Sequence, residues 1–239
     1  MGLSLKKAGA WLLHALLPRT CAHCARDLRW DAAEPLCAAC LAALEPLPGL
    51  HCRACGLPLP DGGASCRDCR GKSPLTARSA FVFNPQLRSL VHALKYRGRD
   101  DLAPYLAGRM AGAFGRFPEL GEHRFAVAVP LHRARARERG YNQAELLAAG
   151  LAARANLFHL PGAAERVRDT PSQTDLSRPE RKANVAGAFR VAAPELVKGR
   201  AILVVDDVAT TLATLSSLSD ELLKSGAKSV AAFTLAREP

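Results

Sequence analysis

Two adjacent carboxylates, Asp206 and Asp207, close an apolar, β-branched run that starts at Ile202. Beyond them come Val208, Ala209, Thr210, Thr211, Leu212, Ala213 and Thr214, and then a helical pattern. That order reads as strand, loop and helix, with the loop at the carboxyl end of a buried strand, where open α/β sheets bind ligands. Backbone N–H groups at such a helix start can cradle a phosphate, and the threonine hydroxyls add donors. Asp206 and Asp207 are then placed to hold ribose hydroxyls or the waters of a hydrated Mg²⁺. Together these groups suit a sugar phosphate gripped at both ends. A structural reading competes with this one, because acidic pairs at strand ends also cap helices and phosphoacceptor domains place carboxylates similarly.

Cysteine supplies the second chemistry. All eight cysteines fall between residues 21 and 69 as four C-x-x-C units: Cys21/Cys24, Cys37/Cys40, Cys52/Cys55 and Cys66/Cys69. One such turn points two thiolates at one ion, and two turns complete a tetrahedral shell, so eight ligands predict two closed, structural zinc sites. Sequential pairing of the units is the simplest arrangement, and an interleaved one also fits the spacing. His23 and His51 stand beside ligands but read as bystanders where four thiolates are available. A disulfide framework is the alternative, and no secretory signal supports the oxidising compartment it needs. A thioredoxin-like redox site lacks the βαβ setting it would require. Short loops rich in Ala, Pro and Gly cannot bury a core here without the metal.

The formal net charge is +11 over 239 residues. Residues 1–74 carry nine Lys and Arg against six Asp and Glu, and residues 75–239 carry 24 against 16. The excess therefore lies mainly with the part that holds the carboxylate–threonine loop, as an anionic ligand or nucleic acid would favour. Aromatic residues make up only 5% of the chain, which weakens the case for stacking along single strands. Near the start, Lys6 and Lys7 precede an apolar stretch from Ala8 to Leu17 that His14 interrupts. It is too short to span a bilayer and lacks a small-residue cleavage site, so it is expected to be an amphipathic helix in a cytoplasmic protein without stable membrane insertion.

The elements that must position these residues are partly legible. Gly71-Lys72-Ser73-Pro74 reads as a linker between a cysteine module over 1–74 and a larger domain over 75–239. Residues 79–83 predict a strand, and Asn84-Pro85 opens a helix whose Leu87, Leu90, Val91 and Leu94 recur at core spacing. Lys95-Tyr96-Arg97-Gly98 ends that helix in a basic turn. A second helix carries Leu102, Leu106 and Met110 on one face. Residues 125–130 predict a strand emptying into a loop with Arg133, Arg135, Arg137 and Arg139 ahead of Gly140, well placed to meet a pyrophosphate or simply a solvated charged face. A helix starts near Asn142. The polar stretch 166–187 is long enough to be a lid over a site. After it come a strand at 189–191, the Asp206 strand, a helix through Leu215, Leu218, Leu222 and Leu223 stopped at Gly226, and a last strand over 230–235.

With these residues in view the chain resembles the ComF family, a double zinc ribbon followed by a type I phosphoribosyltransferase-like domain with a parallel α/β core. The resemblance rests on the C-x-x-C repeats, Leu94-Lys-Tyr-Arg-Gly98, Val129-Pro-Leu-His132 with Arg139-Gly-Tyr-Asn-Gln143, and Thr170-Pro-Ser-Gln173 with Arg178 and Arg181 to Asn184. Val204-Val-Asp-Asp-Val208 completes the set. It implies that Asp206, Asp207, Thr210, Thr211, Ala213 and Thr214 hold phosphoribosyl pyrophosphate (PRPP) with Mg²⁺. It further implies a pyrophosphate contact from Arg137, Arg139 and Gly140 with Lys95 nearby, and a hood over 168–184. A role in natural competence, the handling of incoming DNA, is implied in the same way. The two functions to weigh are a phosphoribosyltransferase with an unidentified acceptor and a non-catalytic factor that engages single-stranded DNA or a competence helicase. One departure stands out. Where the family pattern has glycine after the two threonines, this chain has Leu212, and a positive φ there is expected to strain the loop by ~1–3 kcal/mol. Strain of that size would weaken PRPP roughly ten- to a hundredfold.

Overall fold

The computed structural model describes residues 18–70, 75–169 and 184–239. The expected helix over 8–17, the linker 71–74, and Thr170, Ser172, Gln173, Arg178 and Arg181 of the expected hood lie outside the described residues.

Five parallel strands form the central sheet: β1 (Thr76–Val82), β2 (Phe125–Ala128), β3 (Phe158–His159), β6 (Ala201–Ala209) and β7 (Ser229–Arg237). Their spatial order is β1-β7-β6-β2-β3. A short antiparallel hairpin, β4 (Ala164–Arg166) with β5 (Phe189–Val191), stands apart from it. Ile202, Leu203, Val204 and Val205 of β6 are wholly buried, so both faces of the sheet are covered, as a continuous apolar run in a parallel strand requires.

Helix α1 (Ala38–Ala42) belongs to the cysteine module. In the larger domain, α2 (Pro85–Tyr96) starts where Asn84 accepts the N–H of Leu87, and its buried stripe is Leu87, Leu90, Val91 and Leu94. Helix α3 (Ala103–Phe114) buries Leu106 and Met110 as expected. It packs on α5 (Gln143–Ala155), which lies against β6, β2 and β3. Helix α6 (Ala213–Lys224) packs on β6, β7 and the hairpin, on the opposite side of the sheet. Leu223 departs from its expected core position and is exposed, because only Leu215, Leu218 and Leu222 share the apolar stripe.

One larger departure concerns residues 133–139, expected as a loop. They form a helix, α4 (Arg133–Arg139), which His132 opens and Gly140 ends at φ +85°. Alternate arginines in a strand or loop would fan outward. In a helix they separate into the pairs 133/137 and 135/139, one turn apart on two faces.

This topology fixes where a ligand must sit. From β2 the chain crosses through α5 to β3 on one side, and from β6 it crosses through α6 to β7 on the other. Adjacent strands β2 and β6 thus mark the switch point of the sheet, and the crevice at their carboxyl ends is the place where such sheets bind ligands.

Candidate functional site

A cavity of about 400 Å³ opens at that crevice. Residues 129–131, just after β2, line it together with Asp206, Asp207, Thr210 and Thr214 of the adjacent β6 and the segment after it. Arg88, His92, Lys95 and Tyr96 of α2, Arg135 and Arg139 of α4, and Arg166 of the hairpin complete much of the rim. Five of the lining residues are Lys or Arg, against the carboxylates of Asp206, Asp207 and Glu238. The chamber thus sets five cationic side chains against three carboxylates and the hydroxyls of Thr210 and Thr214.

Both carboxylates lie inside β6, near its carboxyl end, and both line the cavity. Asp207 is buried and meets Lys95, whose Nζ stands 2.8 Å from Oδ2. Asp206 accepts the N–H of Asp207 at 2.8 Å. Burial, then the charge of Asp207, push the Asp206 carboxyl up to about 7, against the opposing pull of Lys95 and Arg166. Burial works against the charge on Lys95, but Asp207 and Asp206 outweigh it and raise its pKa.

These directions give a stability prediction. A carboxyl whose pKa is higher folded than unfolded releases its proton more readily from the unfolded chain. Stability therefore falls as pH rises from about 4 to about 7 and stays at the lower level above that. Asp206→Asn keeps the oxygen that accepts the Asp207 N–H and removes the charge. At pH 8 it is expected to stabilise the unliganded protein by roughly 1–3 kcal/mol, a rise in Tm of several degrees for a chain of this size, with no gain at pH 4. Thermal denaturation at the two pH values checks this.

The loop itself is short. Thr211 Oγ1 accepts the N–H of Ala213, Leu212 sits at φ +63°, ψ +6°, and its carbonyl accepts the N–H of Ser216 to start α6. The positive φ expected at Leu212 is present, in a non-glycine residue. Its side chain is buried in the core and is not part of the cavity wall. Thr211 and Ala213 also lie outside that wall, as do Arg137, whose Nε turns to the carbonyl of Arg133, and Gly140.

The residues 139–143 are tied in one by one. Arg139 donates to Gln143 and lies 5.4 Å over the Tyr96 ring. The Tyr141 hydroxyl donates to the Leu94 carbonyl, and Asn142 donates to that of Val129 while accepting the N–H of Ala144. These bonds pin α4 to α2 and the end of β2, so Arg135 and Arg139 face the cavity from a fixed position. Arg166, at the edge of the polar stretch 166–187, lines the cavity, and nothing in its local sequence announces that position. Lys95, expected near the pyrophosphate, lines the cavity, and Arg88 and His92, not singled out from the sequence, recur with it at helical spacing on the face of α2 beside its buried stripe.

The cysteines gather into two sets, Cys21, Cys24, Cys37, Cys40 and Cys52, Cys55, Cys66, Cys69, with the ligand atoms of each within 4.8 Å of one another. Pairing is thus sequential. The Sγ atoms of Cys24 and Cys37, and of Cys55 and Cys66, stand 3.7 Å apart. Thiolates about 2.3 Å from a tetrahedral ion are about 3.8 Å from each other, so both sets fit a structural zinc ion. Burial pushes the Cys21 and Cys52 thiols up, but backbone N–H groups of the turns aimed at them bring both down to about 6. Burial and the neighbouring thiols push Cys40, Cys55 and Cys69 up, so each set holds at least one readily formed thiolate beside thiols that give up their protons only to the ion.

Residues 12–70 match the family model of a double zinc ribbon domain. The chain is 35% identical to the DNA utilization protein YhgH of Salmonella typhimurium over 84% of its own length and 90% of that protein. It is 30% identical to competence protein F of Haemophilus influenzae, covering 91% of this chain and 96% of the relative. With competence protein ComFC of Bacillus subtilis the identity is 28%, over 94% and 96% of the two chains. Zinc-ribbon cysteines joined to a parallel α/β domain, with identity sustained through both, place this chain in the ComF family.

Proposed function

We propose that the cavity binds PRPP with Mg²⁺ and that the protein serves the uptake or use of DNA, the activities for which its relatives are named. The observation that carries the first part is the convergence of Asp206, Asp207, Thr210 and Thr214 with Lys95, Arg135, Arg139 and Arg166 on one chamber at the sheet's switch point. In this reading Asp206 and Asp207 hold the ribose hydroxyls and orient waters of the metal. Thr210, Thr214 and the first N–H groups of α6 hold the 5-phosphate, and Arg135 and Arg139 with Arg166 meet the pyrophosphate. Mg²⁺, when bound, neutralises charge on the departing pyrophosphate. The reaction such a site suits is transfer of the phosphoribosyl group, where positioned charges stabilise a cationic sugar centre and no nucleophilic side chain is needed.

Leu212 does not close the site in this account. It adopts the left-handed conformation itself, at about 1–2 kcal/mol, and burying its side chain offsets a cost of that size. The loop keeps its shape around it. Calorimetric titration of PRPP with Mg²⁺ into the native chain and into Leu212→Gly tests this. Affinities within about threefold of each other are expected. Binding by Leu212→Gly alone would mean that the leucine blocks the loop, and silence from both would remove the PRPP reading. The excess of eight positive charges in residues 75–239 favours a second reading, a non-catalytic contact with single-stranded DNA. Such binding would weaken steeply with added salt.

A further inference from the structure

We propose that Arg237 is a positioning residue that makes the second zinc turn a structural part of the sugar-phosphate pocket. Arg237 ends β7 and is almost wholly buried. Its Nε donates to the carbonyl of Cys55 at 3.2 Å. Its Nη1 donates to the carbonyls of Ala209 at 3.1 Å and Thr210 at 2.5 Å, and to that of Glu238 at 2.7 Å. One guanidinium thus joins a zinc-ligand residue to the backbone that leads into Thr211 and Leu212.

Neighbouring bonds make the connection stiff. Three consecutive carbonyls of the Cys52–Cys55 turn accept from the larger domain: Arg53 from Arg78, Ala54 from the backbone of Ala77 and from Arg78, and Cys55 from Arg237. The approach is close enough that a Cβ on Gly56, which sits at φ +67°, would stand 2.8 Å from the Ala77 carbonyl. Such a turn holds its shape only when folded around its ion. The strained Leu212 follows at once, and strain of that kind persists only where the surroundings over-determine it. The first zinc set is tied elsewhere. His23 meets Ser89, and the carbonyls of Ala43 and Glu45 accept from Asn84 and Val82. None of these touches the loop. Zinc at Cys52, Cys55, Cys66 and Cys69 therefore sets the rigidity of residues 209–212 through Arg237, and zinc at the other set does not.

The consequence for ligand rests on the PRPP reading, but the coupling is tested without it. Hydrogen–deuterium exchange of the full, zinc-loaded chain is followed on peptides covering 206–214, with no ligand present. Cys66→Ser with Cys69→Ser disables the second site, and Cys21→Ser with Cys24→Ser disables the first. The second-site variant is expected to exchange at least about tenfold faster in 206–214, and the first-site variant at the native rate. Arg237→Gln should give the same acceleration while retaining two zinc ions, and adding it to the second-site variant should change nothing further. Should the glutamine variant fail to fold, Arg237→Lys, which keeps the charge but reaches fewer carbonyls, should give a smaller acceleration of the same peptides. Peptides from β2 and α5 must stay at native rates for the effect to count as local. Equal protection of 206–214 in native and Arg237 variants, or equal loosening from either zinc site, would overturn the proposal. PRPP titration of the same proteins separates the two ideas, since silence from the native chain would remove the ligand reading and leave the exchange result intact.

Discussion

Asp207→Asn is expected to lower the affinity for PRPP with Mg²⁺ by more than about a hundredfold, equivalent to roughly 2.7 kcal/mol. Asp207 is buried and already ion-paired with Lys95 at 2.8 Å, so the ligand meets a carboxylate whose position is fixed in advance. Neutralising it also leaves Lys95 facing only Asp206. Breaking a buried pair by removing one partner costs about 3–5 kcal/mol where nothing replaces it. Here Asp206 takes over part of the compensation, so about 2–3 kcal/mol of stability should be lost. A double variant separates the two effects. Lys95→Met combined with Asp207→Asn should recover stability, because no buried charge is left unpaired, but it should not recover ligand. Denaturant titration and calorimetry on the four proteins of the cycle check both halves. Recovery of binding in the double variant would show that Asp207 matters only as a partner for Lys95.

The second large effect concerns the zinc ions. Removing both with a strong chelator is expected to unfold the cysteine module and lower Tm by more than 10 °C. Among the described residues of the module, Leu28, Leu36, Leu44 and Leu47 are the main buried apolar side chains apart from the cysteines, too few to order some fifty residues. Binding of structural zinc contributes about 10–16 kcal/mol to folding in small zinc modules. Much of the module's edge lies on β1, where Leu47 and Ala77 bond to Ala80 and Ala54, so the loss should spread into that side of the sheet. Metal content by mass spectrometry should read two zinc ions per chain before chelation. A native Tm in metal-free protein would contradict the assignment.

How much of this could be read in advance depended on what each residue was paired with. Segments governed by their own apolar pattern were legible: α2 from Asn84 onward, the buried core of β6, and the four C-x-x-C turns. Segments governed by distant partners were not. Strand β1 begins three residues before the expected start because Arg78, a charged residue, is buried there and satisfied by carbonyls of the zinc turn and by Glu119. Helix α4 has no buried residue at all, so no apolar period could announce it. It is held by Tyr141 and Asn142 on neighbouring elements. Strands β3 and β4, two and three residues long, are too short to carry a pattern. The candidate site divides the same way. Asp206, Asp207, Thr210 and Thr214 stand together in sequence and in space, whereas Arg135 and Arg166 reach the cavity through a helix face and a hairpin.

The claim at the centre of this account is that one chamber holds both ends of a sugar pyrophosphate. Phosphorus NMR of PRPP, with Mg²⁺ at pH 8, reads those ends separately. On adding the native chain, the 5-phosphate and the pyrophosphate resonances should both shift or broaden, and Asp207→Asn should leave both nearly unchanged. Sharp, unmoved resonances with the native chain would contradict the claim. A response confined to the pyrophosphate would contradict it as well, since it would show anion capture by the arginines without engagement of the threonine loop.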